Sequence, residues 1–192
     1  MNYTNLITII IPCYNEINFL ETVIQRVLDT KIQNKQVIIV DDFSTDGTRE
    51  LLKSKIEPLV DKVIYHEKNM GKGACIKNAL QFIAGDIVII QDADLEYNPS
   101  DHPKLVKVMI DRNVDVVYGT RFSKGTKNSN LNLYLTNRIA NFLLTVFTNF
   151  LTGLKISDME TGLKCFKKEA IQGINLIENR FGFEPEVTIK LA

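Results

Sequence analysis

The sequence predicts an α/β fold built on a mostly parallel, doubly wound sheet. Three observations carry this. Short β-branched runs alternate with longer helical stretches along most of the chain. The run Ile87–Gln91 is nearly continuous in apolar residues, as expected of a strand covered on both faces. Polar clusters then follow four runs at their carboxyl ends: Tyr14-Asn15-Glu16, Asp41-Asp42, Asp92-Asp94 and Arg121. Ligands of open parallel sheets bind at that edge.

Leu6–Ile11 reads as the first strand and stops at Pro12. Phe19–Thr30 follows with helical spacing, placing Leu20, Val23, Ile24, Val27 and Leu28 on one face. The second strand, Gln36–Val40, ends in DDFSTDGT, where Ser44 or Asp46 is placed to cap a helix over Gly47–Ser54. Val63–His66 is a short third strand, and NMGKG leads into a helix from Ala74 to Ala84. The fourth strand, Ile87–Gln91, ends in DADLEYNP; Asp101–Asp111 is helical and Val114–Tyr118 is a fifth strand.

Thr120–Asn132 is polar and glycine-containing, which marks a loop. An apolar helix over Asn137–Thr152 follows, then SDMETGLKCF, a helix near Lys168–Ile174 and a last helix starting near Pro185. No repeat, low-complexity tract or linker divides the chain, so residues 1–192 are expected to form one domain.

Bulk properties remove several classes of function. Basic and acidic residues balance at 23 each, so the total charge points to no nucleic-acid partner. Cys13, Cys75 and Cys165 are far apart, no CxxC pair or Cys/His cluster exists, and His66 and His102 stand alone. That pattern speaks against zinc and against a disulfide framework, and fits a reducing cytoplasm. The first apolar run lacks a basic region before it and ends at Pro12, so it is a strand rather than a signal peptide. Ile139–Leu154 comes nearest to a membrane segment but is interrupted by Asn and Thr. It admits two readings, a core helix that covers the sheet or packs against missing sequence, or an interfacial helix at a bilayer surface.

The sharpest chemical signal is Asp92-Ala93-Asp94 at a strand end. Two neighbouring carboxylates are costly to bury without a compensating cation. A hard divalent ion with oxygen ligands, Mg²⁺ or Mn²⁺, supplies one and bridges to phosphate oxygens. Asp41 and Asp42 repeat the pattern; Asp41 is expected to face a ligand's ribose or base, with Asp42 partly structural. Gly71-Lys72-Gly73 lacks the full phosphate-loop pattern. It is expected to admit a nucleotide close to the backbone, with Lys72 near the rim or solvated.

The series PCYNE (12–16), DDFSTDGT (41–48), NMGKG (69–73), QDADLEYNP (91–99) and YGTRF (118–122) resembles family 2 inverting glycosyltransferases of the A-type fold. Within that family the resemblance is to the dolichyl- or polyprenyl-phosphate sugar synthases, and it covers nearly the whole chain. It implies that Pro12, Tyr14 and Glu16 border the base and ribose of a UDP- or GDP-linked sugar, with Asp41 on the nucleoside. It further implies that Asp92, Ala93 and Asp94 face the diphosphate, with Asp94 as principal metal ligand and Asp92 and Glu96 beside it. Arg121 would neutralise a phosphate, and Arg138 matches a basic position near the lipid phosphate of the acceptor. The family continues well past FEPE, so the chain is expected to be a catalytic domain truncated at its C-terminus.

Many family members place a catalytic base in the segment matching SDMETGLKCF, which makes Asp158 or Glu160 the candidate. A hydroxyl acceptor needs such a base. A polyprenyl phosphate, with a pKa near 6, is already largely anionic at neutral pH. The missing acidic base motif favours the phosphate acceptor and, with it, the cytoplasmic face of a membrane; Asp158 and Glu160 would then organise basic residues or the loop. A saccharide hydroxyl acceptor in cell-surface polysaccharide synthesis and a non-catalytic sugar-nucleotide-binding protein remain the alternatives. A nucleotidyltransferase would carry a glycine- and basic-rich loop after the first strand, where this chain has PCYNE.

Overall fold

The computed structural model describes residues 5–121 and 135–192, with side chains for 5–121 and 139–192. In chain order the elements are β1 (Ile7–Cys13), α1 (Leu20–Leu28), β2 (Lys35–Asp41), α2 (Thr48–Leu51), β3 (Lys62–Tyr65), α3 (Lys72–Leu80), β4 (Ile87–Ile90) and α4 (His102–Arg112). There follow β5 (Val116–Tyr118), α5 (Leu135–Thr152), β6 (Lys164–Lys167), α6 (Lys168–Gln172) and α7 (Phe183–Lys190). The sheet runs β3-β2-β1-β4-β6-β5. β1 lies parallel to β2 and β4, and β2 lies parallel to β3. β6 is antiparallel to both β4 and β5.

β6 is the strand that the sequence pattern hides. Its four residues, KCFK, begin and end on lysine and show no apolar alternation. They are a strand because the gap between β4 and β5 offers hydrogen-bonding partners on both sides, pairing Cys165 with Ile89 and Val117. The expected helix over Gly47–Ser54 also departs from the pattern. It starts after Gly47, held at φ 99°, and after one α-turn opens into a π-turn at Leu52–Ile56. A 3₁₀ turn containing Pro58, which has no N–H to donate, then ends the run.

Side chains alternate across the strands and build two cores. Ile9 and Ile11 of β1 pack with Leu20, Val23 and Val27 of α1 and with Val106 and Met109 of α4. Ile10, pointing the other way, packs with Ile38, Val88, Ile76 of α3 and Phe183 and Val187 of α7. Both faces of the sheet are thereby covered.

α5 does not turn its apolar face to the sheet. Its buried residues are the polar ones, Asn141, Thr145 and Thr148, while Phe142, Leu143, Val146, Phe147 and Phe150 face outward, Phe150 being 83% exposed. The inward face is held by hydrogen bonds: Asn149 Nδ2 donates to Ile156 O (2.8 Å) and Met159 N donates to Thr145 Oγ1 (3.1 Å). Among the described residues no helix is long and apolar enough to cross a membrane. The expected loop over Thr120–Asn132 falls, past Arg121, outside the described residues.

Candidate active site

Parallel register brings three strand tips to one edge. Cys13 of β1 sits opposite Asp41 of β2, and Ile10 opposite Ile90 of β4. The chain leaves β1 as Pro12–Glu16, β2 as Asp41-Asp42 and β4 as Gln91–Asp94, so these segments surround one pocket of about 380 Å³. Pro12, Tyr14, Glu16, Lys72, Asp92, Ala93 and Asp94 all line it. Seven of the residues read from the sequence are therefore brought together.

Two carboxyls of the pocket, Glu16 and Asp94, are held in surroundings that disfavour their charge. Burial, reinforced by Asp92 and Glu96, pushes the Asp94 carboxyl up, although the Glu96 N–H bonded to its Oδ1 (2.9 Å) opposes this. Burial and the neighbouring Asp94, Asp46 and Asp92 push the Glu16 carboxyl up to about 7. Carboxylates crowded in this way, offering only hard oxygen donors, suit Mg²⁺ or Mn²⁺. Asp94 and Asp92 could hold such an ion.

Asp92 owes its position to a glycine. A Cβ added at Gly162 would lie 1.7 Å from Asp92 Oδ2, so only glycine lets the carboxylate sit against the backbone there. Its Oδ1 takes the Lys72 ammonium at 2.7 Å, and the same ammonium reaches Glu184 Oε1 at 2.8 Å. Burial alone would lower the Lys72 pKa, but Asp92 and Glu184 outweigh it and hold the group protonated. Lys72 is thus a half-buried pocket residue in an ion-pair chain, which corrects the expectation of a solvated lysine.

Asp41 and Asp42 exchange the roles expected of them. Asp41 is fully buried, with Arg49 Nε donating to its Oδ2 at 2.7 Å, and it lies away from the pocket lining. Asp42 lines the pocket and anchors the NMGKG turn, accepting from Met70 N (2.8 Å) and Gly71 N (2.7 Å). The reversal follows from the end of β2: Asp41 is the last paired residue, and the chain turns only at Asp42.

The fold also gathers Asp42, His66 and Cys75, all buried, with possible ligand atoms within 4.8 Å of one another. This is a cluster that widely separated positions conceal. Hydrogen bonding accounts for it: His66 Nδ1 lies 2.7 Å from Asp42 Oδ1, and Asn78 Nδ2 lies 2.8 Å from His66 Nε2. Asp42 and Asn78 thus give both ring nitrogens a partner. Burial pushes the Cys75 thiol well up, away from the thiolate a metal needs.

Arg121 and Asp158 lie outside this pocket. Arg121 Nη2 and Nε donate to the two oxygens of Asp158 at 2.8 and 2.9 Å, and Nη1 reaches Glu96 Oε1 at 3.3 Å. Asn141 of α5 donates to Asp158 Oδ1 at 2.8 Å. Burial alone would raise the Asp158 pKa, but these donors outweigh it and hold the carboxyl below its usual range. One expectation is corrected by this geometry: the Arg121 fork is filled by protein acids rather than turned to the pocket. Asp158 organises a basic residue. Glu96, paired to Arg121, lines a neighbouring hollow with it. Glu160 is half-buried with its pKa raised by burial and by Glu184. Arg138 lies in α5, its side chain outside the described residues.

Sequence reading missed the far wall of the pocket. Arg180 and Phe181 line it, and Glu184 braces Lys72 from α7. The segment docks on the NMGKG turn, with Ala74 N donating to Asn179 O at 3.0 Å. A Cβ at Gly71, whose φ is +94°, would meet Asn179 O at 2.5 Å. The available signal was FGFEPE itself, two acids inside an apolar segment.

An open sheet with acidic strand tips around a pocket, and an antiparallel strand inserted beside β4, defines the nucleotide-diphospho-sugar transferase (GT-A) type of α/β fold. Solved structures agree. Glucosyl-3-phosphoglycerate synthase of Mycobacterium tuberculosis, in complex with Mn²⁺, UDP-glucose and glycerol 3-phosphate, superposes with a TM-score of 0.72 at 19% identity, covering 96% of this chain and 64% of that one. A mannosyltransferase of Pyrobaculum calidifontis in complex with GDP-Man and Mn²⁺ gives 0.65 at 20% identity, covering 97% and 51%.

The chain belongs to glycosyl transferase family 2, whose model matches residues 8–174. Among curated relatives, the dolichol-phosphate mannosyltransferase of Pyrococcus furiosus is 30% identical over 96% of this chain and 52% of its own length. The undecaprenyl-phosphate 4-deoxy-4-formamido-L-arabinose transferase of Aeromonas hydrophila is 30% identical over 96% and 56%. The UDP-N-acetylglucosamine–dolichyl-phosphate N-acetylglucosaminyltransferase of Methanococcus voltae is 30% identical over 87% and 71%. The chain thus spans about half the length of the first two.

Proposed function

We propose that this chain is the catalytic domain of a glycosyltransferase that moves a sugar from a UDP- or GDP-linked donor to a polyprenyl phosphate, by metal-assisted inverting displacement. The observation that carries the reading is the convergence of Glu16, Asp92 and Asp94 in one pocket, where neither Glu16 nor Asp94 makes an ion pair among the described residues. The names of the relatives, which specify dolichyl and undecaprenyl phosphates, support the acceptor class.

In this reading Pro12, Tyr14 and Asp42 border the nucleoside, while Asp92 and Asp94 hold Mg²⁺ or Mn²⁺. The ion, when bound, neutralises charge developing on the departing diphosphate. Lys72, adjoining Asp92, adds a second cation on the same side. The acceptor phosphate brings its own anionic oxygen, so no side chain needs to remove a proton. Arg138, at the start of α5, is assigned to the acceptor phosphate. The outward apolar face of α5 supports a seat at the cytoplasmic face of a membrane, where such a lipid resides.

Glu160 favours a second reading. It makes no hydrogen bond or ion pair among the described residues and burial raises its pKa, which suits a general base for a saccharide hydroxyl.

The test is a thermal-shift screen of UDP, GDP and their sugars with Mn²⁺, followed by a transfer assay to undecaprenyl phosphate. Binding raises the melting temperature by mass action, and failure of every nucleoside diphosphate to do so defeats the proposal. Transfer to a saccharide hydroxyl but to no lipid phosphate selects the Glu160 reading. Flotation with anionic vesicles tests the membrane seat. Substituting Phe142, Phe147 and Phe150 by serine should abolish it, and unchanged flotation would remove α5 from the account.

A further inference from the structure

Lys72 occupies an unusual place for a pocket lysine. Its ammonium is 2.7 Å from Asp92 Oδ1 and 2.8 Å from Glu184 Oε1, and all three side chains are at most 20% exposed. The second oxygen of Asp92 is pressed against Gly162. A cation arriving at Asp92 Oδ1 therefore meets the Lys72 ammonium already in place. The second oxygen of Glu184, Oε2, is buried without a partner among the described residues. A buried carboxylate with one oxygen unmet is costly, and here the ammonium is its stabilising contact.

We propose that Lys72 holds the cation position on Asp92 in the ligand-free protein, so that a divalent metal binds tightly only together with the donor's diphosphate. The inference rests on the reading of Asp92 and Asp94 as the metal ligands. A metal arriving alone gains Asp94 but must displace a hydrogen-bonded ammonium from Asp92. A diphosphate removes that obstacle, because its oxygens accept from an ammonium that has three donors and spends two on carboxylates. Lys72 then exchanges Asp92 for phosphate while Glu184 keeps its hold. The anchor is firm because the segment before α7 is bonded to the start of α3, Ala74 N to Asn179 O at 3.0 Å. Metal and nucleotide consequently bind with positive coupling, and by linkage each tightens the other equally. Glu184 acts as a positioning residue through Lys72.

The experiment follows free Mn²⁺ by its electron paramagnetic resonance signal, titrating the protein alone and with saturating UDP or GDP. Lys72→Met should bind Mn²⁺ alone about tenfold more tightly than the parent and lose most of the nucleotide-induced gain, a change within the range of ordinary site coupling. Glu184→Gln, which leaves the ammonium to Asp92 alone, should bind Mn²⁺ alone more weakly. A merely structural role predicts no such opposite movement. Unchanged or weaker Mn²⁺ binding by folded Lys72→Met overturns the inference. If that variant gives no cooperative melt, Glu184→Gln decides, and unchanged or tighter binding overturns it. No Mn²⁺ binding by any of the proteins, even with UDP and GDP, would instead sink the metal-site reading and the inference with it.

Discussion

The strand-tip pocket and the Arg121 cluster are both acidic, and they treat their acids in opposite ways. In the pocket, burial and like charge raise Asp94 and carry Glu16 to about 7, and neither makes an ion pair among the described residues. Beside it, Asp158 is more deeply buried yet lowered, because Arg121 meets both oxygens and Asn141 adds a further donor. Burial has the same sign in the two places; the partners decide the outcome. A carboxylate whose charge the protein already balances is part of the framework. One left unbalanced is waiting for something from outside, and that difference separates ligand site from support.

Removing the balanced acid should cost the fold most. Asp158→Ala leaves a largely buried guanidinium without its main partner, and should lower unfolding free energy by about 3–5 kcal/mol in denaturant melts. Removing the unbalanced acid should cost activity instead. Asp94→Asn should reduce metal-stimulated sugar transfer about 10²–10³-fold, the scale set by losing one preorganised electrostatic contact, with the melting temperature unchanged or higher. If both variants lose stability alike, the contrast between the clusters is wrong.

A smaller effect is expected where the two regions touch. Gly162→Ala forces Asp92 Oδ2 away from a Cβ that would lie 1.7 Å off. It should cost about 1–3 kcal/mol from overpacking and weaken Mn²⁺ binding measured with UDP or GDP present. The gentlest test is pH. Glu16 in the folded protein has a pKa of about 7, above its ordinary 4.5, so the fold favours the protonated form. Its contribution to stability is complete below about pH 4.5 and is lost as pH rises through about 7. Melting temperatures of the metal-free protein should therefore fall across that window more steeply than those of Glu16→Gln. Identical slopes would mean Glu16 carries no such strain.

Much of this was legible in the residues. The parallel strands announced themselves through β-branched runs, and α1 through the spacing of Leu20, Val23, Ile24 and Val27. PCYNE and DAD marked the pocket because their acids directly follow strands. β6 was not legible, since KCFK carries no pattern and becomes a strand only between β4 and β5. The orientation of α5 was not legible either. Its composition is apolar, and only the partners waiting at Asp158, Ile156 and Met159 turn its Asn and Thr inward.

By itself, then, the sequence determined the local terms: which stretches extend or coil, and which chemical groups stand at the strand ends. Those depend on neighbours within a few residues, and spacing records them. The tertiary structure alone decided which charges meet. Whether Asp41 or Asp42 enters the pocket, whether Arg121 faces a phosphate or Asp158, and that Glu184 reaches Lys72 all depend on pairings across long stretches of chain. Coulombic and hydrogen-bond energies follow distance in space, and separation along the chain carries no record of it.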